Sequence, residues 1–77
     1  MPLSMLNAGE VGVIRQLHGQ PKVVKHLEDM GFVAGESVTV ISAINGNLIV
    51  EIKGTRLALN LVTANRIILE NGKEISK

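Results

Sequence analysis

The chain contains no cysteine, tryptophan or tyrosine and only one phenylalanine. Without thiols it forms neither a disulfide framework nor a thiolate metal site, and nothing in it indicates an oxidising compartment. One aromatic ring cannot supply the stacking surface on which single-strand nucleic-acid binders hold bases, or the groove in which proline-rich peptides bind. Both classes of binding module are therefore disfavoured.

A block of charge and a long apolar run are also lacking. Eight Lys and Arg face seven Asp and Glu, which gives a net charge of +1, and the charges are scattered. Direct contact with nucleic acid normally needs a basic patch, and because the charges are scattered we expect no such contact. No apolar run approaches the roughly 20 residues of a membrane span, and the first ten residues do not resemble a signal peptide. We expect a cytoplasmic protein that does not insert into a membrane.

Catalytic signatures are missing as well. The sequence has no P-loop or GxGxxG motif to hold a nucleotide, and no nucleophile with a base nearby can be argued. A chain of 77 residues is expected to be one domain, residues 1–77, too small for a large cleft. Residues 73–77 have little to bury and are expected to fray. The sequence thus predicts a small domain that is not an enzyme.

One stretch has the period of a helix. Val23, Val24, Leu27 and Met30 fall on a single stripe at 3.6 residues per turn. Pro21 suits a first helical turn, and Gly31 suits the left-handed residue that ends a helix. We predict one α-helix at about residues 21–31, lying over an open end of a sheet.

The remainder reads as five short antiparallel strands. Alternating residues predict strands at 10–17, 36–42, 47–53, 55–60 and 66–69. Asn45-Gly46 predicts a type I′ hairpin turn, Gly54-Thr55 a second turn, and Gly12 a bend in the first strand. Asn60 is expected to cap a short 3₁₀ turn before the last strand, which Asn71-Gly72 would end. The fold class is therefore mostly β, a small and strongly bent barrel.

A motif of glycines and apolar residues spans this predicted fold. Its members keep a fixed spacing, namely Leu27, Met30, Gly31, Gly35, Asn45, Gly46, Gly54, Leu57 and Leu59. Over almost the whole chain the pattern resembles the FeoA family, small cytoplasmic proteins of bacterial ferrous iron transport. The resemblance implies an SH3-like barrel that binds the cytoplasmic, GTPase-containing part of the transporter FeoB and supports or regulates Fe(II) uptake. It carries over no catalytic residue.

The resemblance leaves alternatives open. The same fold is similar to the C-terminal SH3-like domain of iron-dependent repressors, which implies a stand-alone regulatory domain. A sensor that binds a transition metal is a further alternative. Edge strands of a small open barrel can also pair between copies, so a homo-oligomer is a further possibility.

Two candidate surfaces for a partner follow from the predicted elements. Alternation places Ile41 and Ile49 on the outer side of adjacent strands, where Leu6 or Phe32 would extend an apolar patch. Packing of Phe32 on the end of the helix is the alternative for that residue. The second surface is the outer face of the helix, with Lys22, Lys25, His26 and Asp29. Lys25 and Asp29 have the spacing of a weak ion pair.

Metal ligands are the last candidate. Imidazole and carboxylate groups suit Fe(II) and Zn(II), and the chain offers them at His18, His26, Glu28 and Asp29. Neither HxxxH nor CxxC spacing occurs, and exposed polar clusters are usually just solvated. We therefore expect no required cofactor, with weak Fe(II) or Zn(II) binding as the alternative.

Overall fold

Five antiparallel strands form one sheet in a computed structural model that describes residues 1–70. A 3₁₀ turn at Leu3–Met5 precedes β1 (Val11–Leu17), and α1 (Pro21–Asp29) follows β1. The remaining elements are β2 (Ser37–Ile44), β3 (Asn47–Ile52), β4 (Thr55–Asn60), α2 (Leu61–Ala64) and β5 (Ile67–Leu69). The strand order is β4-β3-β2-β1-β5. The predicted fold class is confirmed. The predicted fraying of residues 73–77 and the strand end predicted at Asn71-Gly72 lie outside the described residues.

Strand β1 is shared between two neighbours. Its first half pairs with β2 and its second half with β5, and the register with β5 shifts between Ile14 and Gln16. Such a shift bends a strand, so the bend lies near Arg15 and not at Gly12, where it was predicted. Gly12 has another role, because a Cβ there would lie 2.6 Å from Leu69 Cδ1. The absence of a side chain lets β1 pass close to the buried Leu69.

Both hairpins turn through two residues with positive φ. Asn45 and Gly46 have φ of 51° and 81°, as the predicted type I′ turn requires. The second turn is Lys53-Gly54, with φ of 52° and 78°, and Ile52 pairs with Thr55 across it. The prediction of Gly54-Thr55 was therefore wrong by one residue. Lysine rarely adopts a left-handed conformation, and for that reason the sequence pointed to the wrong pair.

Helix α1 begins at Pro21 as predicted and ends at Asp29, two residues before the predicted limit. Gly31 has a φ of 106°, and its N–H donates to the Glu28 carbonyl at 2.9 Å. The N–H of Phe32 donates to the Leu27 carbonyl at 3.0 Å. These two bonds make a Schellman ending, which turns Phe32 into the core.

The connection before β5 was expected to be a 3₁₀ turn, and it is one turn of α-helix. The N–H of Asn65 donates to the carbonyl of Leu61 at 2.9 Å, the i to i−4 bond of an α-helix. The predicted cap is present, because Asn60 Oδ1 accepts from the N–H of Thr63 at 2.8 Å. The 3₁₀ turn of the described chain lies instead near the N-terminus, at Leu3–Met5.

The core lies between the sheet and the two helices. Inward residues of β2 and β3 alternate as predicted, and α1 contributes Leu27 in full and Val23 and Met30 in part. The fully or almost fully buried side chains are Leu3, Ile14, Leu27, Phe32, Val38, Val40, Leu48, Val50, Ile52, Leu59, Ala64, Ile67 and Leu69.

Candidate functional site

The residues of the glycine and apolar motif serve the fold. Leu27 and Leu59 are buried, and Met30 and Leu57 are half-buried against the core. Asn45 and the motif glycines all have positive φ, namely Gly31, Gly35, Gly46 and Gly54. The motif therefore specifies turns and packing, and a functional surface has to be sought outside it.

The outer face of α1 is exposed to solvent along its length. Lys22, Lys25, His26 and Asp29 all project from it. Lys25 Nζ lies 4.0 Å from Asp29 Oδ1, and the two side chains are 78% and 66% exposed. The predicted weak ion pair is present, and at that exposure it contributes little to stability. This face is polar and of mixed charge.

The predicted apolar patch does not form as expected. Phe32 has no exposed surface, so it cannot be a surface contact, and the alternative of packing on the helix end is correct. Ile41, Ile49 and Leu6 are half-buried. The register between β2 and β3 shifts between Val40 and Ser42, so that Ile49 pairs with Ser42 and not with Ile41. Simple alternation could not anticipate that bulge.

A different apolar surface is exposed at one end of the sheet. Its large side chains are Met5, Ile44, Leu61 and Val62, at 64%, 56%, 43% and 65% exposure. We call these four residues the apolar end. Two contacts join the segments that carry them: the N–H of Leu61 donates to the Gly46 carbonyl at 3.2 Å, and Ser4 Oγ is hydrogen-bonded to Asn65 Oδ1. Sequence reasoning missed this surface because it combines three distant segments.

The segments that build the apolar end carry no ionisable side chain. Residues 1–9, 37–50 and 57–65 contain no Asp, Glu, Lys, Arg or His. The ionisable residues fall instead within 10–36, 51–56 and 66–77 of the sequence. Two of them pair, since Lys53 Nζ is 3.7 Å from Glu36 Oε2. This uneven spacing of charge along the sequence was the signal that could have found the surface. An uncharged apolar surface suits contact with another protein, since no charge loses its hydration on binding.

The four predicted metal ligands do not make one site. Within residues 1–70, no three His, Asp or Glu side chains lie where they could hold one ion together. His18 lies in the loop before α1, with Nε2 2.9 Å from Gln16 Nε2, while Asp29 is paired with Lys25 at the other end of the helix. Of the predicted set, only His26 and Asp29, at i, i+3 on α1, share a face.

Helix length bears on the relation to a membrane. In the part of the chain that the structure describes, neither helix has the length and apolar character needed to cross a bilayer.

The chain is similar to known proteins in both sequence and fold. The model of the FeoA domain matches residues 1–71 of the chain. A crystal structure of an iron uptake regulatory protein, FeoA, has a TM-score of 0.84 at 26% identity, covering 91% of this chain and 93% of that one. FeoA of Stenotrophomonas maltophilia, an SH3 domain protein solved in complex with zinc, has a TM-score of 0.81 at 29% identity, covering 94% and 91% of the two chains.

The same fold also occurs in proteins that are not FeoA. A manganese-dependent transcriptional repressor in complex with manganese has a TM-score of 0.83 at 18% identity, covering 91% of this chain and 35% of the repressor. At that identity the likeness shows a common fold only. Among curated proteins, no sequence matched.

Proposed function

The chain belongs to the FeoA family, and from this we propose that it is a small non-enzymatic accessory protein of bacterial ferrous iron uptake. It acts by binding the cytoplasmic, GTPase-containing region of a FeoB-like transporter. The family is implicated in ferrous iron transport, and the likeness to two FeoA structures covers more than nine-tenths of each chain. Binding to the transporter is the proposed step.

The apolar end is the surface we propose for this contact, and its exposure is the observation that supports the proposal. Four large apolar side chains, each more than two-fifths exposed, lie together without an ionisable neighbour in sequence. Binding hot spots are apolar anchors that lose their water on contact, while solvated charges around an interface add little affinity. The outer face of α1, with Lys22, Lys25, His26 and Asp29, is the competing surface.

A matched pair of substitutions tests the apolar end. Val62 and Val11 are 65% and 60% exposed, so each accepts Glu without burial of charge in the free protein. Val62 lies in the first turn of α2, where an acidic residue is favourable, and Val11 begins β1 at a different place on the surface. Calorimetric titration of the transporter's purified cytoplasmic region should show Val62→Glu binding at least about tenfold more weakly than wild type, because an unpaired charge is then buried. Val11→Glu should bind as wild type does.

The competing surface is tested in the same titration. Lys25→Glu reverses a charge on the outer face of α1 and removes its ion pair with Asp29. We expect unchanged affinity. If Lys25→Glu weakens binding and Val62→Glu does not, the contact belongs to the helix; if wild type does not bind at all, the proposed function is wrong.

Zinc or iron binding is a second candidate function, favoured by the zinc complex of the Stenotrophomonas maltophilia protein. Within residues 1–70 no three candidate ligands share a site, so a single copy offers at most the pair His26 and Asp29 at i, i+3 on α1. Two exposed ligands bind an ion weakly. This candidate is therefore subordinate to binding of the transporter.

A further inference from the structure

The two outermost strands of the sheet differ in whether their outer edge is covered by other residues. On β5, the edge that faces away from β1 is covered, because Pro2 forms a bridge with Ile68 and Met1 exchanges backbone hydrogen bonds with Leu69. On β4, the other end of the strand order, β3 is the one strand paired to it within residues 1–70. The sheet therefore has one open edge in its described part, and that edge is β4.

The register of β4 shows which backbone groups face outward. Ile52 and Thr55 flank a two-residue turn, so they form a hydrogen-bonded pair, and bonded and non-bonded pairs then alternate along the ladder. Thr55, Leu57 and Leu59 thus bond to β3. Arg56, Ala58 and Asn60 direct their N–H groups to the open edge, and their side chains are exposed.

The β4 edge carries few of the features that usually prevent strand addition. Its pairing with β3 runs from Thr55 to Asn60 without a register shift, whereas the β2–β3 and β1–β5 pairings each contain one. The strand contains no proline and one charged residue, Arg56. Open, regular edges of this kind pair with another strand.

We propose that this edge binds a second copy of the chain, with the two β4 strands antiparallel and a twofold axis at Ala58. The strand is self-complementary in this register. The two Ala58 residues exchange N–H···O=C bonds on the axis, and the N–H of each Asn60 reaches the carbonyl of Arg56 in the other copy. The result is one continuous sheet across both copies. This interface is independent of the transporter and does not use the apolar end.

Side chains favour the same register. With the axis at Ala58, Arg56 of one copy lies opposite the uncharged Asn60 of the other, and Leu57 lies opposite Leu59. A register centred on Arg56 would instead place two guanidinium groups directly opposite each other, which is unfavourable. Charge thus disfavours the Arg56-centred register, and the Ala58-centred one keeps both outward hydrogen-bonded pairs of β4.

The contact is one strand wide and buries little surface, so we expect a weak dimer whose population depends on protein concentration. Sedimentation equilibrium from about 1 μM to about 1 mM covers the range from tight to negligible association. Wild type should rise from the monomer mass of 8.2 kDa towards twice that value. A mass that stays at the monomer value throughout would overturn the proposal.

Substitutions at Ala58 test the edge itself. Ala58→Pro removes the outward N–H that makes no bond to β3, so the monomer keeps its ladder while the dimer is lost. Ala58→Val is the matched control, since it keeps the N–H and favours a strand, and it should dimerise as wild type does. If Ala58→Pro does not fold, Ala58→Lys serves instead, because two ammonium groups then meet on the axis. Dimerisation by Ala58→Lys as strong as wild type contradicts the proposal.

One further variant tests the register. Asn60→Asp retains an oxygen that caps α2 and places a carboxylate opposite Arg56 of the second copy. Two such pairs per dimer should lower the dissociation constant about two- to thirtyfold. The double variant Arg56→Glu with Asn60→Asp places like charges opposite each other and should dissociate more readily than wild type. If both variants associate equally, the Ala58-centred register is wrong.

Discussion

Phe32 donates its backbone N–H to the carbonyl of Leu27 across 3.0 Å, and the side chains of both residues are fully buried. The bond spans Gly31, so the left-handed conformation of one residue determines where the aromatic ring goes. The end of α1 thus joins the helix to the core twice, through Leu27 and through Phe32. Stability should depend on this ending more than on any exposed residue of the helix.

Gly31→Ala should lower the free energy of unfolding by about 1–2 kcal/mol, the cost of a left-handed conformation for a residue with a Cβ. The cost is conformational, because a Cβ at Gly31 would approach no atom closer than 3.9 Å. Urea denaturation followed by circular dichroism measures it. Lys25→Ala, on the exposed face of the same helix, is the control and should change stability by less than about 0.5 kcal/mol. Equal stability of the two variants would contradict the role of the ending.

Leu27→Asp should abolish cooperative unfolding. Leu27 is 1% exposed and is the one residue of α1 that is completely buried, so the aspartate would lie in an apolar core without a partner. A thermal melt is the measurement. Leu27→Ala provides the graded comparison, with a loss of about 2–5 kcal/mol from the missing side chain. A sharp melt of Leu27→Asp at the wild-type temperature would show that α1 is not part of the core.

Lys53→Asn should stabilise the protein by about 0.5 kcal/mol, since Asn tolerates the left-handed conformation better than Lys does. The variant loses the ion pair between Lys53 and Glu36. Because these two side chains are 53% and 37% exposed, solvent screens the pair and its loss costs little stability. Asn45→Lys is the converse change at the equivalent position of the first hairpin and should destabilise. The midpoints of urea denaturation show whether each of the two substitutions raises or lowers stability. Changes of the same sign in the two turns would mean that backbone conformation is not the controlling factor.

Asn60→Ala should cost about 1 kcal/mol, because the Thr63 N–H loses the side-chain oxygen that caps α2. Asn60→Asp retains a capping oxygen and should melt within about 0.5 kcal/mol of wild type. These comparisons belong at low protein concentration, where association does not contribute. An Asn60→Ala protein as stable as wild type would show that packing alone holds α2 in place.

Equilibrium dialysis against Zn(II) or Fe(II) should show binding no tighter than the micromolar range, and His26→Ala or Asp29→Ala should weaken it further, since each removes one of the two ligands that share a face of α1. This follows from the lack of any group of three ligands within residues 1–70. His18→Ala is the control, because His18 lies in the loop before α1 and not on the helix. Submicromolar binding that is lost in His26→Ala would establish a metal site on α1.

Local sequence predicted the elements whose structure is decided by near neighbours. The stripe that contains Leu27, the ending at Gly31 and the turn at Asn45-Gly46 all depend on residues within one helical turn or one hairpin. Lys53 shows the limit of this reasoning. Its left-handed conformation goes against local preference and is imposed by the pairing of Ile52 with Thr55.

The surfaces were predicted less well, since a surface is assembled from distant segments. The β2 bulge leaves Ile41 and Ile49 unpaired with each other. The segments of Ile44 and Leu61 meet only through the hydrogen bond from Leu61 to Gly46 in the first hairpin. The exposed face of α1 was found from the sequence because one element forms it. The apolar end was missed, since three segments that are far apart in the chain meet there and the lack of charge in each of them was its one trace in the sequence.

The division of β1 between two partners has a consequence for synthesis on the ribosome. β2 reaches β1 after about 20 intervening residues, but the half that pairs with β5 must wait for Ile67–Leu69, the last strand within residues 1–70 to be made. Until then Ile14 and the N-terminal turn, with Leu3, lack their cover, and the nascent chain exposes apolar surface that the finished domain hides completely. Pairing across the length of the chain slows folding, so the last step of the fold follows the end of translation of this domain.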